Sequence, residues 1–231
     1  MKKTTCCVIP AFNEENRIGN VVYKCKKFVD CVIVVDDGSN DNTFDEAKNQ
    51  GATVLGIKKN KGKGYALRYG CDYACKFYDI VVIIDADLQH LPEDIPRLID
   101  ALHDYPDEVK SEYNKPKDIV FTYRCFGGEM PFIFRIGNRI ISAFIGILYN
   151  VFLRDTQCGY RCFTKETYKK IRWKQDRYSM DSEMIANVGK YGLNYTEIKI
   201  KTIYSDRRKG TNVLDGIKIV WNMFWWRFKQ N

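Results

Sequence analysis

Asp85 and Asp87 stand two residues apart, directly after the five-residue apolar run Ile80–Ile84 and just ahead of Gln89 and His90. Such a run reads as a buried strand, and a strand ending in two carboxylates delivers both to one edge of a sheet. Carboxylate and amide oxygens suit a hard divalent cation, which commonly completes its shell with substrate phosphates. Asp-x-Asp alone is frequent in surface loops, so the chemistry depends on its surroundings. His90 reads as a neighbour of the site or a surface residue rather than a metal ligand. Two further polar clusters follow apolar runs: Pro10-Ala11-Phe12-Asn13-Glu14 after Thr5–Ile9, and Asp36-Asp37-Gly38-Ser39 after Cys31–Val35. Pro10–Glu14 has no glycine and is not a dinucleotide loop. Lys61-Gly62-Lys63-Gly64 lacks the spacing and hydroxyl of a P-loop, and reads as a helix-entry turn whose lysines can approach phosphate.

The elements that must carry these clusters alternate. Strands are expected at Thr5–Ile9, Cys31–Val35, Thr53–Ile57, Ile80–Ile84 and Ile119–Thr122. Between them the pattern predicts helices over Glu14–Phe28, from an Asp41 or Asn42 cap to Gly51, over Lys63–Phe77, and from Pro92 onward, proline favouring the first helical position. This rhythm implies an α/β fold with a mainly parallel sheet covered on both faces. Ligands of such sheets bind beyond the carboxyl ends of the strands, where all three clusters fall.

At 231 residues and 45% hydrophobic, the chain can bury a core, which excludes disordered and collagen-like classes. Charge divides it. Residues 1–120 hold 17 Lys/Arg against 20 Asp/Glu, and residues 121–231 hold 20 against 9. The second part also holds 21 of the 32 aromatic residues, a combination suited to a phosphate-bearing partner, whether membrane surface or nucleic acid. Ile140–Leu153 carries no charge but at 14 residues is too short to span a bilayer. It reads as an interfacial or a buried core helix. Val213–Lys229 sets Trp221, Phe224, Trp225, Trp226 and Phe228 beside Lys218, Arg227 and Lys229, the composition of a membrane-interface anchor. Nine cysteines lack the CxxC pairing of a structural zinc site, and no secretory leader is read at Met1. Reduced thiols in a cytoplasmic protein are therefore expected.

Taken together, Pro10–Glu15, Val34–Ser39 and Asp85–His90 resemble, in order and spacing, the three signatures of family 2 inverting glycosyltransferases. Arg154-Asp155-Thr156-Gln157-Cys158-Gly159-Tyr160-Arg161 and Asp206-Arg207-Arg208-Lys209-Gly210 look like the branch that makes dolichyl-phosphate sugars, the mannose synthases and β-glucosyltransferases. The resemblance implies a GT-A fold in one domain over 1–231. A nucleotide-sugar half would cover 1–125, and an acceptor and membrane-interface half 126–231. It implies nucleoside contacts at Pro10, Phe12, Glu14, Val35 and Asp37, nucleotide and ribose contacts at Asp85 and Ala86, and Mg²⁺ or Mn²⁺ on Asp87 and Gln89. It also implies phosphate-facing arginines at Arg124 and Arg139, a basic residue of a donor-covering loop at Arg207, and an acidic pair opening a helix at Asp181 and Glu183.

The implied reaction moves a sugar from a nucleotide-sugar to a polyprenyl or dolichyl phosphate at a membrane surface, on its cytoplasmic face, with no nucleic acid involved. The cues for the donor conflict. Asp85–His90 looks like the mannose synthases, whereas Gly62-Lys63-Gly64 and Asp155–Gly159 look more like the glucosyltransferases, so GDP-mannose, UDP-glucose and UDP-N-acetylglucosamine all remain. A hydroxyl acceptor would instead need a general base, with Asp181 as the candidate. A non-catalytic lipid- or nucleic-acid-binding module is a remoter alternative, against which the intact carboxylates argue.

Overall fold

The computed structural model describes residues 3–102, 116–124, 142–177 and 179–203. Its frame is a seven-stranded sheet: β1 Thr5–Ala11, β2 Cys31–Asp36, β3 Thr53–Gly56, β4 Ile80–Ile83, β5 Ile119–Arg124, β6 Arg161–Thr164 and β7 Tyr195–Ile200, in spatial order β3-β2-β1-β4-β6-β5-β7. β1, β2, β3 and β4 pair in parallel, as do β5 and β7, while β6 lies antiparallel between β4 and β5. The sheet is thus mainly parallel with helices on both faces, as the alternating pattern implies. Its antiparallel insertion β6 was not among the expected strands.

The helices are α1 Glu15–Cys25, α2 Thr43–Asn49, α3 Lys63–Ala74, α4 Ile95–Asp100, α5 over 142–149, α6 Lys165–Ile171 and α7 Ser179–Lys190. α1 buries Ile18, Val21, Val22 and Cys25, one stripe at helical spacing. With α2 and α4 it covers the sheet face built on Cys7, Ile9, Val34 and Val82. α3, α5, α6 and α7 cover the other, around Val8, Val35, Val81, Phe121 and Trp173. Every strand residue of β4 is buried, which explains why its sequence is uninterrupted rather than alternating. Pro92 opens a 3₁₀ turn, Pro92–Asp94, rather than an α-helix directly. Pro96 has no N–H to return to the Pro92 carbonyl, which instead accepts the Ile95 N–H.

Among the described residues no helix is long and apolar enough to cross a membrane. Within the Ile140–Leu153 stretch, α5 buries Ile145 and Tyr149 and exposes Phe144 and Ile147, with Phe152 exposed just after it. The Trp221–Phe228 cluster, Arg139 and Arg207 lie outside the described residues.

Candidate active site

β1 and β4 are neighbours, yet the chain runs β1, β2, β3 to one side before crossing back to β4. Their carboxyl ends therefore flank a topological switch point, where an open parallel sheet leaves a crevice. The loops there are cross-tied. The Asn13 N–H donates to Ser39 Oγ at 2.9 Å, and Asn13 Oδ1 accepts the Asn40 N–H at 2.9 Å. The Glu14 N–H donates to Thr43 Oγ1 at 2.8 Å, while Glu14 pairs with Arg17 at 3.1 Å. Asn13 adopts a left-handed conformation (φ 54°), which an asparagine tolerates better than most residues. Asp41 rather than Asn42 serves the start of α2, its side chain accepting the Thr43 N–H at 3.0 Å.

Asp37, only 3% exposed, ties β2 to α3: one oxygen accepts the Lys61 N–H at 2.9 Å and the other the Gly62 N–H at 2.7 Å. Gly62 has φ 103°, which lets the chain turn into α3. This entry presents Lys63, whose Nζ lies 2.6 Å from Asp85 Oδ1. A Cβ at position 159 would sit 2.9 Å from that Nζ and 3.3 Å from the Asp85 carboxylate, so Gly159 leaves the pair its room. Burial acts most strongly and raises the Asp85 pKa, but Lys63, with His90 and Arg124 adding to it, outweighs burial and holds the carboxyl below the usual range.

Asp87 is in the opposite state. Burial and then the neighbouring Asp85 charge push its pKa up, only partly offset by the Gln89 N–H, which donates to Oδ1 at 3.0 Å. The turn between them puts Leu88 in a left-handed conformation (φ 62°), uncommon for a leucine. His90 is 6% exposed, its ring tilted against the Tyr160 ring at 5.4 Å, and burial lowers its pKa to about 4. It is a neutral, buried neighbour. A cavity of about 350 Å³ opens beside Asp87, bordered by Arg17, Lys24, Leu88 and His90 among others.

Two arginines lie behind the carboxylates. Arg124, at the end of β5, forks onto Asp155 through Nε at 2.7 Å and Nη2 at 3.1 Å. Its charge still reaches Asp85 and His90. Arg161 on β6, fully buried, pairs with Asp181 at 2.9 Å and donates to the Cys158 and Thr156 carbonyls. Burial raises the Asp181 pKa while Arg161 and Lys63 pull it back. Glu183, two residues further along α7, accepts the Lys174 and Gln175 N–H groups, both at 2.9 Å, and holds the segment that packs on Gly62 and Gly64.

Among the described residues no group of three or more His, Cys, Asp or Glu side chains is placed to hold a metal. Asp87 with Gln89, beside Asp85, nevertheless fits a Mg²⁺- or Mn²⁺-type ion. Such ions take one or two carboxylates from a protein and the rest of their shell from phosphate and water, and a carboxylate whose charge is only partly met, like Asp87, gains from a cation.

The structure thus brings Glu14, Asp37, Asp85, Asp87, Gln89, Arg124 and Asp181 to the sheet's carboxyl edge or the layer directly behind it. Val35 and Ala86 are buried beneath, and Phe12 is 40% exposed at the rim. Pro10, half-buried, is paired with Val35 across β1 and β2. Lys63, read from the sequence only as a helix-entry lysine able to approach phosphate, and Asp155, read only as part of a motif, complete the charge set.

Residues 6–135 match the family model for glycosyl transferase family 2. The chain belongs to that family. It is 34% identical over 241 residues to the UDP-N-acetylglucosamine–dolichyl-phosphate N-acetylglucosaminyltransferase of Methanococcus voltae, covering 94% of this chain and 93% of the relative. It is 25% identical over 228 residues to the dolichyl-phosphate β-glucosyltransferase of Dictyostelium discoideum, covering 87% and 67%. Its fold is that of glucosyl-3-phosphoglycerate synthase from Mycobacterium tuberculosis, solved with Mn²⁺ and UDP-glucose, at a TM-score of 0.71 and 22% identity over 97% of this chain and 79% of that one. The GT-A architecture and glycosyltransferase class implied by the three signatures stand on these matches.

Proposed function

We propose that this glycosyltransferase moves a sugar from a uridine diphosphate donor to a polyprenyl (dolichyl-type) phosphate, with inversion at the anomeric carbon, at a membrane surface. The uridine donor is inferred from the Methanococcus voltae relative and from the UDP complexes of the fold's solved members. Pro10, Phe12, Glu14, Val35 and Asp37 would form the nucleoside wall, Asp85 and Ala86 the ribose contact, and Asp87 with Gln89 the cation site. When bound, Mg²⁺ or Mn²⁺ would neutralise the charge growing on the diphosphate leaving group. Arg207 is assigned to covering the donor.

The observation that carries the phosphate acceptor is the position of Asp181. It is 5% exposed and faces Arg161 at 2.9 Å. A carboxylate so enclosed is ill placed to take a proton from an incoming hydroxyl, which must come within hydrogen-bond reach. Its service is to hold Arg161 and, through it, the 156–158 carbonyls. A phosphate monoester needs no such base, because its second pKa is about 6 and the attacking oxygen is already anionic. It needs cations to aim it, and Arg124 and Arg139 are assigned that task. The exposed Phe144, Ile147 and Phe152 give the acceptor half an apolar surface suited to a lipid-borne substrate.

The test is incubation of the purified protein with radiolabelled UDP-N-acetylglucosamine, UDP-glucose or GDP-mannose and either dolichyl phosphate or dolichol, followed by organic extraction. Label is expected in the lipid phase only with the phosphate and a uridine donor. Equal labelling of dolichol would overturn the phosphate acceptor and return Asp181 to the role of base. Labelling from GDP-mannose alone would overturn the uridine assignment.

A further inference from the structure

We propose that Lys63 is a resident counter-ion that suppresses divalent-cation binding until a nucleoside diphosphate arrives, so that metal and nucleotide enter the site together. The inference rests on reading Asp85, Asp87 and Gln89 as the metal–nucleotide edge of the crevice.

Lys63 is the first residue of α3, and that first turn contains no acidic residue. A cation there opposes the helix dipole and is disfavoured unless something nearby compensates it. The compensation is Asp85, at 2.6 Å, with both side chains about a quarter exposed. Three independent features keep the pair in place. Both oxygens of Asp37 hold the backbone just before Lys63. The segment ending at Asp176 grips the same turn, its carbonyl accepting the Tyr65 N–H at 3.0 Å. Gly159 withholds the Cβ that would crowd Nζ. The charges of Asp87 and Asp181 also act on the ammonium.

The pair changes what the crevice can bind. Two ionised aspartates would attract a dication strongly. With Lys63 cancelling Asp85, about one net negative charge is left at the edge, too little to strip water from a cation that dehydrates reluctantly. A diphosphate adds the missing negative charge and gives the ammonium a second anion to share. Binding of each then strengthens the other, and the coupling is reciprocal by thermodynamic necessity.

The experiment measures Mn²⁺ binding to the full chain by the electron paramagnetic resonance signal of free Mn²⁺, with and without UDP or GDP. Wild type is expected to bind Mn²⁺ weakly alone and far more tightly with nucleotide. Lys63→Gln should bind Mn²⁺ alone about tenfold more tightly, or about 1.4 kcal/mol, and gain less from nucleotide. Mn²⁺ should also raise its Tm more than that of wild type. Lys63→Arg should stay close to wild type. Gly159→Ala, which displaces Nζ without deleting the charge, should shift binding in the direction of Lys63→Gln by a smaller factor. Unchanged or weaker Mn²⁺ binding by folded Lys63→Gln and Gly159→Ala would overturn the proposal while leaving the metal–nucleotide site standing. Absence of Mn²⁺ binding by wild type even with nucleotide would overturn that reading of the site itself.

Discussion

The ends of β2 and β4 present the same residue type in two electrostatic conditions. At the end of β2, Asp37 is buried and each of its oxygens receives a backbone N–H from the entry to α3. At the end of β4, Asp87 receives one N–H, from its own turn, and faces the like charge of Asp85. Neutral dipoles saturate the first carboxylate and leave the second in deficit. A carboxylate whose charge is met by the backbone fixes geometry. One whose charge is left unmet beside a crevice is prepared for a cation or a substrate. The strand end that costs the fold something is therefore the one where the chemistry belongs.

Substitution at the two positions should separate these roles. Asp87→Ala is expected to cost at least about a hundredfold in turnover, or roughly 3 kcal/mol of transition-state stabilisation, with the protein remaining folded. Retained full rate, or wild-type activity undiminished by excess chelator, would erase the contrast. Asp37→Asn should do the reverse in kind. It replaces one acceptor oxygen by a donor that faces an N–H, and hydrogen bonds to charged groups contribute about 1.5–3 kcal/mol each. The unfolding midpoint should fall by about 3–12 °C, since each kcal/mol shifts Tm by roughly 2–4 °C in a domain of this size. An unchanged midpoint would mean that the α3 entry is held by other contacts.

Much of the donor side was legible because its signals are local. β1, β2 and β4 are short apolar runs closed by polar clusters, and parallel pairing makes those closures neighbours. The expected ends differ from the observed ones by one or two residues, as with Ile84, which lies just beyond β4. What stayed hidden depends on packing between distant segments. β6 reads poorly as a strand because Arg161 sits in it, and that arginine is fully buried only because Asp181, on another element, meets its charge. Arg124 and Asp155 are likewise 31 positions apart. No periodicity links Lys63, Asp85 and Gly159, which meet only once α3 docks on the sheet. The resemblance singled out the Asp155–Arg161 stretch without its physical reason, which is two internal ion pairs and one missing side chain.

The finest test of the contrast is the pH dependence of stability at Asp87 in metal-free buffer. Burial and Asp85 raise its pKa in the folded state, so the folded chain holds that proton more tightly than the unfolded one. Above the raised folded value the ionised carboxylate costs stability. As pH falls through that value the cost is relieved, and below the unfolded carboxylate range near pH 4 it is gone, because the group is neutral in both states. Asp87→Asn keeps an acceptor for the Gln89 N–H and removes only the charge. It should therefore melt slightly above wild type at pH 7–8, with the difference closing toward pH 4. Asp85 has the opposite sign. Lys63 holds its pKa down, so its stabilisation is present at neutral pH and is lost as pH falls through the lowered folded value. Asp85→Asn should accordingly melt below wild type at pH 7, and that gap too should narrow in acid. Two neighbouring aspartates whose neutral variants move Tm in opposite directions would localise the charge deficit to Asp87. If both variants lower Tm at pH 7, Asp87 carries no net charge deficit and the two strand ends differ less than their hydrogen bonds indicate.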